Sequence, residues 1–425
     1  MGVSALYRGQ FTDPPAGAPR RRQRPFDSLI AILRPAPAGD GQGALAAAIE
    51  SGRIDWDRLS TLAAEQLLLP ALWPALLEKN LAAPLPEAIR RFLAARAGDK
   101  THYRMVLETA YLANARRNES IRGQALSAIG ALNAAGIEPG LLKGTRLILA
   151  SDTPYSRSRI LRDIDLLVPA EKWEAATAAL GAVGYLARGE AAHALSFALA
   201  DGGVEIDLHR EPLSLHRPSP LPGYLTAAGF WQRAEPFVVE GRYCQRLPVS
   251  ENLVHAILHT EVADLNHAAG DWPLRYLHET AVTTREHVDA IDWSVLARLK
   301  GRDLLPALRA HLHAAQLLFA ARLPESLPGA LAADWRARRH FFRCRLHARH
   351  PRSVRRVNIL LYKLGQAMSP WYLRRKGYFD GAEDAAVPLW RARHSALADL
   401  VRRHAGRLPA LLFRGKDSGV PPPRV

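Results

Sequence analysis

The sequence runs to 425 residues, long enough for two or three domains, with a formal charge of +16 and a pI near 10.3. Hydrophobic residues at 48% and charged residues at 23% exclude a disordered or membrane-embedded chain. No run reaches the roughly 18 to 20 apolar residues of a spanning helix, and the N-terminus lacks a secretory core, so a cytoplasmic location is expected.

Residues 1–25 combine Pro14, Pro15, Pro19 and Pro25 with Arg20, Arg21 and Arg22, the composition of a flexible basic tail. From 26 to 118, apolar residues recur every three or four positions, as at Leu59, Leu62, Ala63 and Leu67, which predicts an N-terminal helical region. The texture then changes, and residues 119–250 read as an α/β core. A helix over 121–135 ends at Gly136, and a strand is expected from Ile137 to Leu142. Lys143-Gly144-Thr145 follows, then a helix to Ala150, a loop with Pro154, Arg157, Arg159 and Arg162, and the strand DIDLLV over 163–168. A helix over 171–180 and the strand VEIDL over 204–208 complete this core. Residues 251–325 form a helical domain, 326–415 a basic helical region with interspersed aromatics, and 416–425 a disordered tail. Cys244 and Cys344 cannot build a disulfide framework and are expected to be buried, reduced thiols with no histidine at zinc-ligand spacing.

Chemistry concentrates in the two acidic strands. Side chains alternate across a strand, so Asp163 and Asp165 share one face while Ile164 and Leu166 point into the core. Glu205, Asp207 and His209 likewise alternate onto one face of the second strand. Converging carboxylates repel one another unless a divalent cation compensates them, and Mg²⁺ or Mn²⁺ suits an oxygen-rich site that also receives phosphates. In a two-metal arrangement Asp163 and Asp165 bridge the ions, and Asp207 serves the metal on the nucleophile side. The Lys143-Gly144-Thr145 turn at a helix start presents backbone N–H groups to a phosphate, with Lys143 adding a charge and Arg159 or Arg162 clamping further oxygens. The glycine spacing is not that of a Walker A loop.

The segments LLKGTRLIL, RILRDIDLLV, LGAVGY and VEIDLHRE resemble bacterial nucleotidyltransferase-like proteins of the polymerase-β-type superfamily, in its uncharacterised nucleotidyltransferase group. With the flanking IDWDRLSTLAAEQLLLPALWPAL, ENLVHAILHTEVAD, PLRYLHETA and IDWSVLARL, the resemblance covers about residues 50 to 320. It implies an α+β fold: a minimal mixed β-sheet flanked by helices, with N- and C-terminal helical regions. It also implies transfer of an NMP from an NTP, ATP foremost, to an acceptor hydroxyl on a small molecule, peptide, protein or RNA. Asp163, Asp165 and Asp207 match the metal carboxylates, and Gly144 matches the Gly-Ser turn, with Thr145 in place of serine and Lys143 ahead of it. Arg210 stands where the resemblance leads one to expect an aromatic.

Other residues carry less. His255 and His259 sit one helical turn apart without the HExxH glutamate and read as a packed or solvated helix face. His209 is equally a site residue or a structural hydrogen-bonder, and Glu205 reads as a surface charge. Serine-nucleophile, GxGxxG and kinase motifs are absent. The competing function is a non-catalytic scaffold that holds an anionic partner, nucleic acid among the candidates, through the basic C-terminal region.

Overall fold

A computed structural model of the protein describes residues 23–35, 41–82, 103–191, 194–200, 202–213, 221–300 and 304–349, together with 393–395 and 398. The expected tails at 1–25 and 416–425 lie outside the described residues, apart from residues 23–25. So does most of the basic region after 349.

Four short helices open the described chain: α1 (Pro25–Leu33), α2 (Gly41–Glu50), α3 (Trp56–Glu65) and α4 (Leu69–Glu78). The third begins where the sequence predicts, with the Asp55 side chain accepting from the Arg58 N–H as an N-cap. The 32-residue helix α5 (Tyr103–Ala134) is itself unbroken, joining two stretches that the sequence pattern divides near residue 119. It stops at Gly136, whose φ of +69° suits a residue without a Cβ.

The α/β core is β1 (Gly140–Leu141), α6 (Lys143–Ala150), α7 (Pro154–Ser158), β2 (Asp163–Leu167), α8 (Trp173–Ala182), β3 (Tyr185–Ala191), β4 (Ala194–Leu199), β5 (Glu205–His209), α9 (Ala227–Arg233), β6 (Glu235–Val239) and β7 (Arg242–Arg246). The seven strands form one mixed sheet in the order β3-β4-β5-β2-β1-β7-β6, with β2 parallel to β5, β1 parallel to β7, and the remaining neighbours antiparallel. The expected strand over 137–142 shrinks to two residues. Two hairpins, β3/β4 and β6/β7, extend the sheet beyond the sequence reading. The second turns through Glu240 (φ +48°) and Gly241 (φ +70°), a two-residue loop whose positive φ angles match the twist of paired strands.

Helices α10 (Val249–Leu258), α11 (Asn266–Ala269), α12 (Leu274–Glu286), α13 (Trp293–Ala297), α14 (Leu304–Phe319) and α15 (Trp335–Arg349) complete the described chain, with a π-helical turn at His259–Ala263. Ile164, Leu166, Ile206 and Leu208 pack on one sheet face with Ile129 and Leu132 of α5 and Leu180 of α8. On the other face, Leu142 and Leu167 join Val254, Leu258, Leu308 and Phe230. The N-terminal helices share a third core with α12, α14 and α15, where Trp272 stacks on Phe26 at 5.2 Å and meets Phe341 at 4.9 Å. Burying each such side chain stabilises by about 1.5–3 kcal/mol. Among the described residues no helix is long and apolar enough to cross a membrane.

Candidate active site

Parallel pairing of β2 and β5 sets Asp163 opposite Glu205, Asp165 opposite Asp207, and Leu167 opposite His209. Because Ile164 and Leu166 fill the core on the opposite face with Ile206 and Leu208, the pleat forces all three β5 polar residues to the side of Asp163 and Asp165. Asp165, Asp207 and His209 each bring a ligand atom to within 4.8 Å of the others. Asp163 lies outside that group but stays electrostatically coupled to it.

Asp165 is almost fully buried, and its Oδ1 accepts from Lys143 Nζ at 2.7 Å and contacts His209 Nε2 at 2.9 Å. Burial pushes its carboxyl up, but the Lys143 ammonium and His209 outweigh that and hold it below the usual range. The converse holds at Lys143: burial lowers its pKa, and Asp165 and Asp163 more than restore it. Among the described residues Asp163 has no such neighbour in hydrogen-bond contact. Burial, then the charge of Asp165, raises it to about 6, with Lys143 and Arg275 opposing the rise. Asp207 is fixed by Ser196, whose hydroxyl donates to Oδ1 at 2.6 Å from the antiparallel neighbour β4. This cluster suits a divalent cation: carboxylates crowd together, and one of them resists ionisation in the absence of more positive charge.

The turn before β2's partner helix differs in detail from the sequence reading. The left-handed residue is Lys143 (φ +46°), not Gly144. A Cβ on Gly144 would meet Leu161 Cδ2 at 3.1 Å, so this glycine is fitted to the loop packed over it. Thr145 is fully buried, and its hydroxyl accepts from the Asp165 N–H at 2.8 Å, which anchors β2 to α6. Arg159 is buried in an ion pair with Glu279, Nε to Oε2 at 2.8 Å, and also donates to the Ile160 carbonyl. Its guanidinium is therefore committed within the fold, while Arg162 is exposed. Glu205 is exposed, and Arg210 lies over the Trp173 ring at 4.0 Å. His255 is buried and bonded to the Pro212 carbonyl at 2.7 Å, as a packed helix face requires.

Several residues at the site escape the sequence reading. Arg275 and Tyr276, at the start of α12, stand beside the acidic strands: Arg275 donates to the Ile160 carbonyl at 3.2 Å and to Tyr276 Oη at 2.9 Å, and its charge acts on Asp163. From α5, Asn114 Nδ2 donates to the Arg157 carbonyl at 2.7 Å, and Asn118 Nδ2 to the carbonyls of Ser156 and Arg159 at 2.9 and 2.8 Å. With Arg117 bonded to the Leu161 carbonyl, they clamp the arginine loop that leads into Asp163. Only the helical spacing of these three residues was visible beforehand.

The family model described as an uncharacterised nucleotidyltransferase matches residues 52–320, which takes in both acidic strands, the Lys143 turn and α12. No curated protein and no solved structure matches the chain.

Proposed function

Because the chain belongs to this family of uncharacterised nucleotidyltransferases, we propose that it transfers an NMP from an NTP, ATP foremost, to an acceptor hydroxyl in the cytoplasm and releases pyrophosphate. The reading is carried by the in-register pair Asp165 and Asp207 on parallel strands, with Asp163 two residues before on the same face. Asp163, Asp165 and Asp207 would hold Mg²⁺ or Mn²⁺. Bound there, a divalent ion supplies charge compensation for the triphosphate and acidifies the acceptor hydroxyl.

The protein's own groups do the rest. Lys143, which rests on Asp165, would offer its charge to the phosphates if a cation held that carboxylate, and Arg275 and exposed Arg162 would add to it. Backbone N–H groups at Gly144 and Thr145 suit the same anion. The acceptor oxygen attacks the α-phosphorus, the bond to the β-phosphate oxygen breaks, and pyrophosphate leaves in line. Asp207, with Oδ1 fixed by Ser196, has its other oxygen to take the acceptor proton. His209 donates to Asp165 and orients it, since a carboxylate offers only acceptors.

The test is incubation with each of the four α-labelled NTPs, Mg²⁺ or Mn²⁺ and a cell extract, beside an Asp165→Asn/Asp207→Asn double variant. Label carried to a metabolite or macromolecule by wild type alone is the expected result and identifies base and acceptor class. No transfer, with no metal-dependent NTP binding by calorimetry, overturns the enzyme and leaves a basic binding protein on the same fold.

A further inference from the structure

A second cluster of metal-ligating side chains lies away from the acidic strands, where the π-helical turn His259–Ala263, the short helix α11 and the C-terminal helix α15 meet. Glu261, His267 and His340 each bring a ligand atom to within 4.8 Å of the other two. Cys344 follows His340 by one helical turn; its Sγ lies 3.2 Å from His340 Nε2 but outside the group of three, so it must swing toward Glu261 and His267 to complete a donor set. The expectation that Cys344 has no histidine at zinc-ligand spacing is thereby corrected: His340 and Cys344 stand at i and i+4 on one helix face.

We propose that Glu261, His267, His340 and Cys344 bind a structural zinc ion that fastens helix α15 to the helices beneath it. Two orphaned atoms carry the argument. Glu261 is 3% exposed, and its Oε2 has no hydrogen-bond partner among the described residues; nor has the buried Nδ1 of His267. A buried carboxylate oxygen without a donor is costly, and a bound cation removes that cost while keeping the carboxylate ionised against the upward push of burial. The remaining oxygen is already fixed: Oε1 contacts His311 Nδ1 at 2.7 Å, and His311 Nε2 contacts Thr280 Oγ1 at 3.0 Å. Such outer bonds are how proteins orient a metal-binding carboxylate. The π-helical turn that carries Glu261 is a rare conformation found mostly at functional sites.

The donor set decides the metal. One carboxylate oxygen, two imidazole nitrogens and one thiolate suit tetrahedral Zn²⁺ and disfavour Mg²⁺. Four protein donors leave no open position, which is the pattern of a structural rather than a catalytic site. Loading the site requires local adjustment. The His267 and His340 rings are stacked, with centroids 4.1 Å and planes 19° apart, so one ring must turn for their lone pairs to converge. Metal at His340 Nε2 places the ring proton on Nδ1, so Arg343 gives up its 3.0 Å contact there and keeps its bond to the His267 carbonyl. His340 and Cys344 lie beyond the matched residues 52–320, and Glu261 and His267 lie within them, so the ion joins the family fold to the helix that follows it.

The experiment titrates chelator-treated, folded full-length protein with Zn²⁺ and, in parallel, with Co²⁺ as a spectroscopic probe. Wild type is expected to take up one zinc per chain and to show tetrahedral cobalt bands with a thiolate-to-cobalt transition. Cys344→Ser should abolish that transition, and His267→Ala should weaken zinc binding at least tenfold. Asp207→Asn and Cys244→Ser should leave both signals intact, which separates this site from the acidic strands and from the other thiol. Circular dichroism confirms that each variant is folded. A folded wild type that takes up no stoichiometric zinc, or a thiolate band that survives Cys344→Ser, overturns the proposal.

Discussion

Lys143 Nζ and His209 Nε2 meet at a single atom, Oδ1 of Asp165, at 2.7 and 2.9 Å. The lysine is the first residue of α6 and the histidine the last of β5, so three separate pieces of chain converge on one buried oxygen. Lys143 occupies the carboxylate that a divalent cation would use. On the proposed function, a metal ion at Asp165 would compete with this ammonium, and its binding would free the lysine for phosphate.

That competition predicts opposite effects for one substitution. Lys143→Met removes a charge without adding backbone strain beyond that of lysine, since both have a Cβ at the same positive φ. Calorimetry should show Mn²⁺ binding, without nucleotide, about tenfold tighter, while kcat/KM for the NTP falls about 100-fold, or roughly 2.7 kcal/mol in the transition state. Metal affinity and turnover falling together would mean that Lys143 only supports the fold.

Asp163 makes the site pH-dependent. Its folded pKa of about 6 lies above the ordinary value of 3.8, so the folded state holds the proton more tightly than the unfolded chain. The associated stability is present below about pH 4 and is lost as pH rises through 6. Above pH 6, Asp163→Asn should accordingly raise the unfolding free energy measured in urea by about 1–2 kcal/mol once partial exposure is allowed for. Metal binding should weaken as pH falls below 6 in wild type. An unchanged urea midpoint in the variant would show that ionised Asp163 carries no such penalty.

The clamp on the arginine loop should be felt in both stability and catalysis. Asn118→Ala removes the amide donor from the Ser156 carbonyl and leaves the Arg159 carbonyl only the longer 3.3 Å bond from Asn114, at a cost of about 1–3 kcal/mol measured by urea unfolding. The loosened loop feeds directly into Asp163, so kcat should fall about tenfold with little change in nucleotide affinity. A variant that loses stability but keeps full kcat would separate the loop from the chemistry.

Local pattern made the two acidic strands legible. The alternation in DIDLLV and VEIDLH requires Asp163, Asp165, Asp207 and His209 to leave the core together, whatever surrounds them. Lys143-Gly144-Thr145 was equally visible as a turn, but the left-handed angle at Lys143 and the packing of Leu161 against Gly144 were not. The β6/β7 hairpin also left a signal, Glu240-Gly241 between β-rich runs, whose strands the helical neighbourhood obscured.

The sequence by itself determined the acidic face, the Lys143-Gly144-Thr145 turn and the α+β character, because each follows from periodicities of two to four residues and from local backbone sterics. Tertiary structure alone decided which charges remain available. Arg159 is paired with Glu279 across 120 residues, Asp207 is held by Ser196, and the arginine loop is pinned by Asn114 and Asn118 some 40 residues upstream. Glu261 and His340 likewise come together only where α15 packs against the π-helical turn. Such pairings depend on which buried polar atoms face one another once the cores have closed, and no local spacing encodes that distance.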